Sequence, residues 1–434
     1  MQARKIGPVL ATFVVANNMI GSGFFLLPAS LATSGAVTVF SWIIGTVLAV
    51  VLGGAFARLA RQYPDLQSSD DYVRPSLGRD ASFLTASLYW AASWIGNNAI
   101  AVAAFGYLVM LLPLDGGNPM VQVLGQVALI WLMFAVNLMG PRPVARFQSW
   151  CVVLGLLPVA VVLLFGWAHF DRATYDAAWN VSGQPASGVV FGSLGAVFWA
   201  FVGLETGAMI AGLVRDPDRD LPIATFGGVL LAGTVYVVSS VLVMGIVPAA
   251  ELAASSAPFA LVAAEIFGPW AAFAIAAAAA LKATGTLGGW MLVTGETGAR
   301  AAQQGYLPGI FGRLNSRGAA APGLLIIAIA MTGIAFMTLS PNVSGQFGTI
   351  IGVVVNLVVL AYAAAGLSLV VGTRARRPTT GDRLLGLGAI GACALLLASA
   401  TWQMLLGAVV AMAIAWGLFR LFGSRTTPRA PALP

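Results

Sequence analysis

Two stretches of this sequence place glycine, hydroxyl, amide and carboxylate groups inside otherwise apolar runs. They are Asn17-Asn18-Met19-Ile20-Gly21-Ser22-Gly23-Phe24 and Trp199-Ala200-Phe201-Val202-Gly203-Leu204-Glu205-Thr206-Gly207. Glycine lets a helix unwind. In the first stretch, unwinding would present the free N–H groups and positive dipole end of the half-helix that follows, which suits a carboxylate, and Ser22 adds a hydroxyl. In the second, it would release carbonyls, which suit an ammonium group. Together the two breaks would hold both ends of an α-amino acid backbone. The competing reading is that these glycines serve close helix packing; a matched pair of breaks weakens it.

Two ionisable residues lie deep in apolar runs. Glu205 sits beside the second break, where a carboxylate is expensive and marks a functional site by default; it could carry a proton or sense pH, or serve as a structural hydrogen-bonding group. Lys282 stands eight residues before Trp290. Eight residues are just over two helical turns, so the two share roughly one face. Lys282 could be a fixed cation, a titrating one, or a structural group held in an ion pair or by hydrogen bonds to backbone carbonyls. Aromatic and amide residues complete the set: Tyr89, Trp90 and Trp94 followed by Asn97 and Asn98, then Trp199 at the second break and Trp290 after Gly288-Gly289. Aromatic faces attract organic cations, although most of the twelve Trp are expected in interfacial belts.

Only a membrane can position these groups. The 434 residues are 59% hydrophobic and 9% charged, against about 25% charged in a soluble domain. Twelve spans are read near 8–31, 36–59, 81–112, 120–139, 149–168, 189–213, 222–247, 268–300, 320–339, 345–372, 384–400 and 402–421. The first resembles a signal peptide at its start, but its Asn pair and continued length mark it as a retained span. With the N-terminus in the cytoplasm, 20 of the 22 Lys and Arg fall on the cytoplasmic side, Arg172 falls outside and Lys282 within the membrane. That asymmetry accounts for the net charge of +7 without any nucleic-acid partner. The two breaks are five spans apart, which puts spans 1–5 and 6–10 in opposite orientation, the pattern of an inverted-repeat transporter.

Other classes fit less well. A channel would show a continuous polar lining, and an enzyme would need a nucleophile–base or metal set. The single histidine, His169, lies at a span end, and Cys151 and Cys393 read as buried small hydrophobes, so no metal or cofactor site is expected.

At Asn18 to Ala29 (NMIGSGFFLLPA) the chain resembles the amino acid–polyamine–organocation transporter superfamily. Leu88-Tyr89-Trp90, Trp94-Ile95-Gly96-Asn97, Ala178 to Gly183 (AWNVSG), Pro222 to Thr225 (PIAT) and Leu287-Gly288-Gly289-Trp290 narrow this to the bacterial basic amino acid/polyamine antiporters, with the arginine/agmatine type as the nearest pattern. The resemblance implies an all-α integral membrane protein of about twelve helices in a 5+5 inverted repeat, the LeuT-like fold, with helices 1 and 6 broken and two extra C-terminal helices. It implies one transmembrane domain over 1–434, with repeats at 8–168 and 189–372 and helices 11 and 12 at 384–421. It further implies a homodimer in the bacterial inner membrane with both termini cytoplasmic, exchanging a basic amino acid for its decarboxylated amine. By that resemblance, Ser22 and Gly23 would take the substrate carboxylate, with Ile20 in the same break. The carbonyls of Met19, Trp199 and Val202 would take the α-amino group. Trp290 would stack on the distal cation, Asn97 would hydrogen-bond it, and Trp199 would cover the substrate. Tyr89, Glu205 and Tyr362 would close the site toward the cytoplasm. Ser93, Ile100 and Val354 stand where the pattern has Cys, Met and Ser. Lys282 stands where it has a small residue, close to where sodium-coupled relatives of the fold hold their ion; its ammonium would serve as a surrogate.

Overall fold

The computed structural model describes residues 5–422 apart from 65, 67, 210–213, 341 and 374; the side chain of Ser22 also lies outside the described residues. Among the described residues, each of the twelve expected spans contains helix. The order is α1 (Pro8–Met19), α2 (Ser22–Ala32), α3 (Val39–Gln62), α4 (Ser69–Val109), α5 (Pro119–Asn137), α6 (Pro141–Phe165), α7 (Arg172–Ala177), α8 (Ala186–Gly192), α9 (Leu194–Trp199), α10 (Thr206–Met209), α11 (Pro217–Ile246), α12 (Ala249–Ala254), α13 (Pro258–Phe267), α14 (Pro269–Gln303), α15 (Ala321–Met337), α16 (Val343–Val371), α17 (Thr380–Ala398) and α18 (Trp402–Phe422). Among the described residues, eight helices are long and apolar enough to cross a bilayer, and the bent pair α1–α2 makes a ninth. The remaining three spans are the broken segment α8–α10, the 17-residue α15 and α18. The only β pairing among the described residues is an isolated parallel bridge between Ile6 and Val214.

Local chemistry explains where the elements depart from the expected boundaries. α4 begins at Ser69 rather than near 81, yet Gly78 has φ +86°, so its first turns form a separate helical piece joined at a glycine. α6 begins at Pro141, a proline in the first helical turn. The segment between α11 and α14, expected as a loop, contains α12 and α13. Pro258 opens α13 and Gly268 closes it around an apolar run, a start and stop signal visible in the sequence.

Long helices carry the core. α4 lies along α16 and α14, α14 along α6, and α1 along α11. The α6–α14 contact is a small-residue zipper: Gly155 faces the stem of Lys282, Gly285 faces Cys151, and Gly289 faces Gln148. A Cβ on Gly285 would stand 2.8 Å from the Cys151 Sγ. Such close approach is how helices associate where lipid offers no hydrophobic drive. At one end of the bundle the Arg58 Nε donates to Asp382 Oδ1 at 2.6 Å, and Gln62 donates to the same oxygen, tying α3 to α17.

Gly285→Val should overpack this seam and destabilise the protein by about 1–3 kcal/mol. Thermal unfolding in detergent reads it; an unchanged midpoint would show that α6 and α14 separate freely.

Candidate substrate site

The two glycine-rich breaks meet at the centre of the molecule. α1 ends at Met19; Ile20 leaves helical geometry and the Gly21 N–H turns back to the Met19 carbonyl at 2.7 Å. α2 then starts with Gly21 as an N-cap that offers no side-chain acceptor, and the two halves diverge by 49°. The first amides of α2 therefore remain available to an anion. In the second break, α9 ends at Trp199 and residues 200–205 form successive tight turns before α10. Gly203 has φ +109°, and a Cβ there would come within 3.2 Å of the Asn18 carbonyl oxygen. Only glycine both adopts that backbone and admits α1 so closely.

A cavity with about 50 Å³ of free space lies between the breaks. α1 and α2 contribute Asn18, Met19, Gly21 and Gly23, and the second break contributes Trp199, Ala200 and Val202. One face of α4 supplies Tyr89, Ala92, Ser93, Gly96, Asn97 and Ile100; α14 supplies Thr286 and Trp290; α16 supplies Val354 and Val358. The Trp199 indole fills much of the space. A Cβ at Gly23 would stand 2.6 Å from its Cδ1, and one at Gly96 would stand 3.0 Å from its Cη2. Both glycines are thus required by the ring between them.

Of the residues expected at the site, Met19, Gly23, Tyr89, Ser93, Asn97, Trp199, Val202 and Trp290 line the cavity. Ile20 is buried in the core beside it. Glu205, 1% exposed, lies outside the lining and forms a hydrogen-bond node. The Tyr89 hydroxyl donates to its Oε1 at 2.5 Å; the Tyr362 hydroxyl and the Gly203 N–H donate to its Oε2. One carboxylate thus joins α4, α16 and the unwound segment. Tyr236 adds a bond from α11 to the Ala200 carbonyl at 2.9 Å.

Lys282 is 2% exposed, and its Nζ lies 3.4 Å from the Asn17 Oδ1, in the last turn of α1 before the break. One turn on, Thr286 bonds the Lys282 carbonyl at 2.9 Å and approaches Gly21. Among the described residues no cluster of His, Cys, Asp and Glu could hold a metal ion. Sequence reasoning passed over Thr286, Thr294 and Asn137. Thr294 is fully buried behind the cavity wall, bonded to Asn97 and Ser93, and Asn137 bonds the Gly288 carbonyl at 3.1 Å. A threonine within an Ala- and Gly-rich helix carries no signal until the facing helix is known.

The amino acid permease family model matches residues 6–428. The chain belongs to the amino acid permease family. Within the amino acid–polyamine–organocation superfamily, this permease is similar to the cadaverine/lysine antiporter of Escherichia coli K12, 37% identical over 376 residues, covering 85% of this chain and 84% of that one. It is also similar to the putrescine transporter PotE of the same organism, 30% identical over 429 residues, covering 98% of this chain and 97% of that one. The PotE of Haemophilus influenzae is 30% identical over 423 residues. The permease is accordingly a multi-pass membrane transporter of the amino acid/polyamine antiporter family and not an enzyme.

Glu205→Gln replaces an oxygen that only accepts with an amide that donates toward its own donors, at a cost of about 1–3 kcal/mol. Because Glu205 does not line the cavity, equilibrium substrate affinity should stay within about threefold while the exchange rate falls. Equal losses in both measurements would place Glu205 in direct contact with substrate.

Proposed function

We propose that the permease exchanges a basic amino acid with an unbranched aliphatic side chain, of which lysine is the type, for the corresponding diamine, by alternating access around the central cavity. The observation that carries this reading is the composition of one continuous lining. It joins the uncapped N-terminus of α2, suited to a carboxylate, to the Asn97 amide and the Trp290 indole, suited to a distal cation. Ala92, Ile100, Val354 and Val358 supply apolar surface for methylenes. The relatives whose names include cadaverine, lysine and putrescine support the same chemistry. The arginine/agmatine pair fits the resemblance in the site motifs, but Ile100 and Val354 leave fewer acceptors for the five N–H groups of a guanidinium.

In this reading Gly21, Ser22 and Gly23 take the carboxylate, and the carbonyls of Met19, Trp199 and Val202 take the α-amino group. The free space of about 50 Å³ is well below that of a ligand pocket, so the Trp199 indole must swing or its helices must part when substrate enters. Tyr89, Glu205 and Tyr362 form the closed layer beneath. The two breaks belong to inverted halves, 8–168 and 189–372, whose relative rocking exposes the site to either side, with both termini cytoplasmic. Lys282 beside the break supplies a fixed cation, so no sodium ion is needed there.

In proteoliposomes, labelled lysine should enter only when lysine or cadaverine is present inside, at the same rate with sodium or potassium outside. Entry into empty vesicles would overturn exchange, and a sodium requirement would overturn the role of Lys282. Trp290→Leu should weaken lysine binding by about 0.5–2 kcal/mol through loss of the cation–π contact. Calorimetric titration measures it, and unchanged affinity would place the side chain elsewhere.

A further inference from the structure

Counting protons around Asn97 fixes which end of its amide faces the substrate. Asn97 is fully buried, lies on the cavity-lining face of α4 and has an Oδ1 with no hydrogen-bond partner. Its Nδ2 lies 3.4 Å from the hydroxyl of Thr294 on α14. That hydroxyl, also fully buried, is 2.7 Å from the Trp290 carbonyl and 3.1 Å from the Ser93 hydroxyl. The Ser93 hydroxyl lies 2.7 Å from the Trp90 carbonyl. A threonine hydroxyl has one hydrogen and two lone pairs. Its hydrogen is claimed by the Trp290 carbonyl or by Ser93, and a carbonyl can only accept. What Thr294 has left for Asn97 is a lone pair, and an amide meets a lone pair with its NH₂ group. The Asn97 oxygen is thereby left as the unpaired acceptor.

We propose that Thr294 is a positioning residue that sets the specificity of the site for a distal ammonium. By accepting from Nδ2, it holds the Asn97 amide with Oδ1 as the group offered to substrate. An acceptor buried without a partner favours ligands that bring an N–H and penalises those that do not. The same hydroxyl lies 2.7 Å from the backbone carbonyl of Trp290, so the acceptor at Asn97 is tied to the turn of α14 that carries the Trp290 ring. Without it the amide is free to turn, and an outward NH₂ repels a cation. This inference rests on the reading of the cavity as a basic amino acid site.

The test uses full-length protein in nanodiscs and titrates L-lysine and L-norleucine, which lacks the distal ammonium. Thr294→Val keeps the shape and removes the hydroxyl. The expected result is a loss of about tenfold in lysine affinity with norleucine affinity unchanged, rescue by Thr294→Ser, and no further loss when Asn97→Ala is added. Unchanged norleucine binding also shows that the variant is folded. Equal losses for both ligands, or an unaltered lysine-to-norleucine ratio, would overturn the role of Thr294 while leaving lysine exchange by the wild type intact. If the wild type exchanges lysine yet binds norleucine equally well, Asn97 reads no distal cation and the inference falls. Failure of the wild type to bind lysine at all removes the functional reading as well.

Discussion

A backbone hydrogen bond given up inside a bilayer must be replaced by protein, because hydrocarbon offers neither donor nor acceptor. The centre of this molecule is organised around that constraint. Two helices unwind within their spans, and several of the freed groups find a partner supplied by a neighbouring element or a tight turn. Gly21 turns back onto Met19, the turns of 200–205 close on themselves, Tyr236 covers the Ala200 carbonyl, and Glu205 receives the Gly203 amide. Among the described residues, the first amides of α2 and the Asn97 oxygen are without partners and border the cavity or belong to its lining. The amides freed at the start of α2 thus stand beside a side-chain acceptor from an unbroken helix.

The same constraint places the charged residues. A lone carboxylate at this depth is costly, and Glu205 is held by two tyrosine hydroxyls and a backbone amide rather than by a cation. Each of those donors sits on a different element, so the carboxylate doubles as a joint between α4, α16 and the second break. Lys282 has its stem against Gly155 and its ammonium toward Asn17. The zipper of small residues between α6 and α14 is therefore also what aims the lysine at α1.

Much of this was legible in the chain. Composition and the spacing of apolar runs gave twelve spans, and each contains helix among its described residues, because in lipid a polar backbone has few alternatives. The glycine pairs located both breaks, since glycine is the cheap way to leave a helix and, at Gly203, the only residue that fits. α12 and α13 went unread because helices of ten residues or fewer are too short to register as spans, although Pro258 and Gly268 mark the ends of α13; they pack on α2 and α14. α4 begins well before the span expected from 81; Gly78 separates its first turns from the rest, and a glycine in that position reads equally as a helix end.

The sequence by itself determined the solvent this protein lives in, where its long apolar helices run and the two places where they break, all of which depend on residue type and short-range spacing. It also supplied the family resemblance, carried by contiguous motifs. Only the tertiary structure decided which side chains share the cavity. That Trp199 lies between Gly23 and Gly96, that Glu205 sits outside the lining, and that Thr294 turns the Asn97 amide are facts about helices more than 70 residues apart in the chain. Their contact is set by crossing geometry and by which small residues let two backbones approach, and no local pattern encodes that.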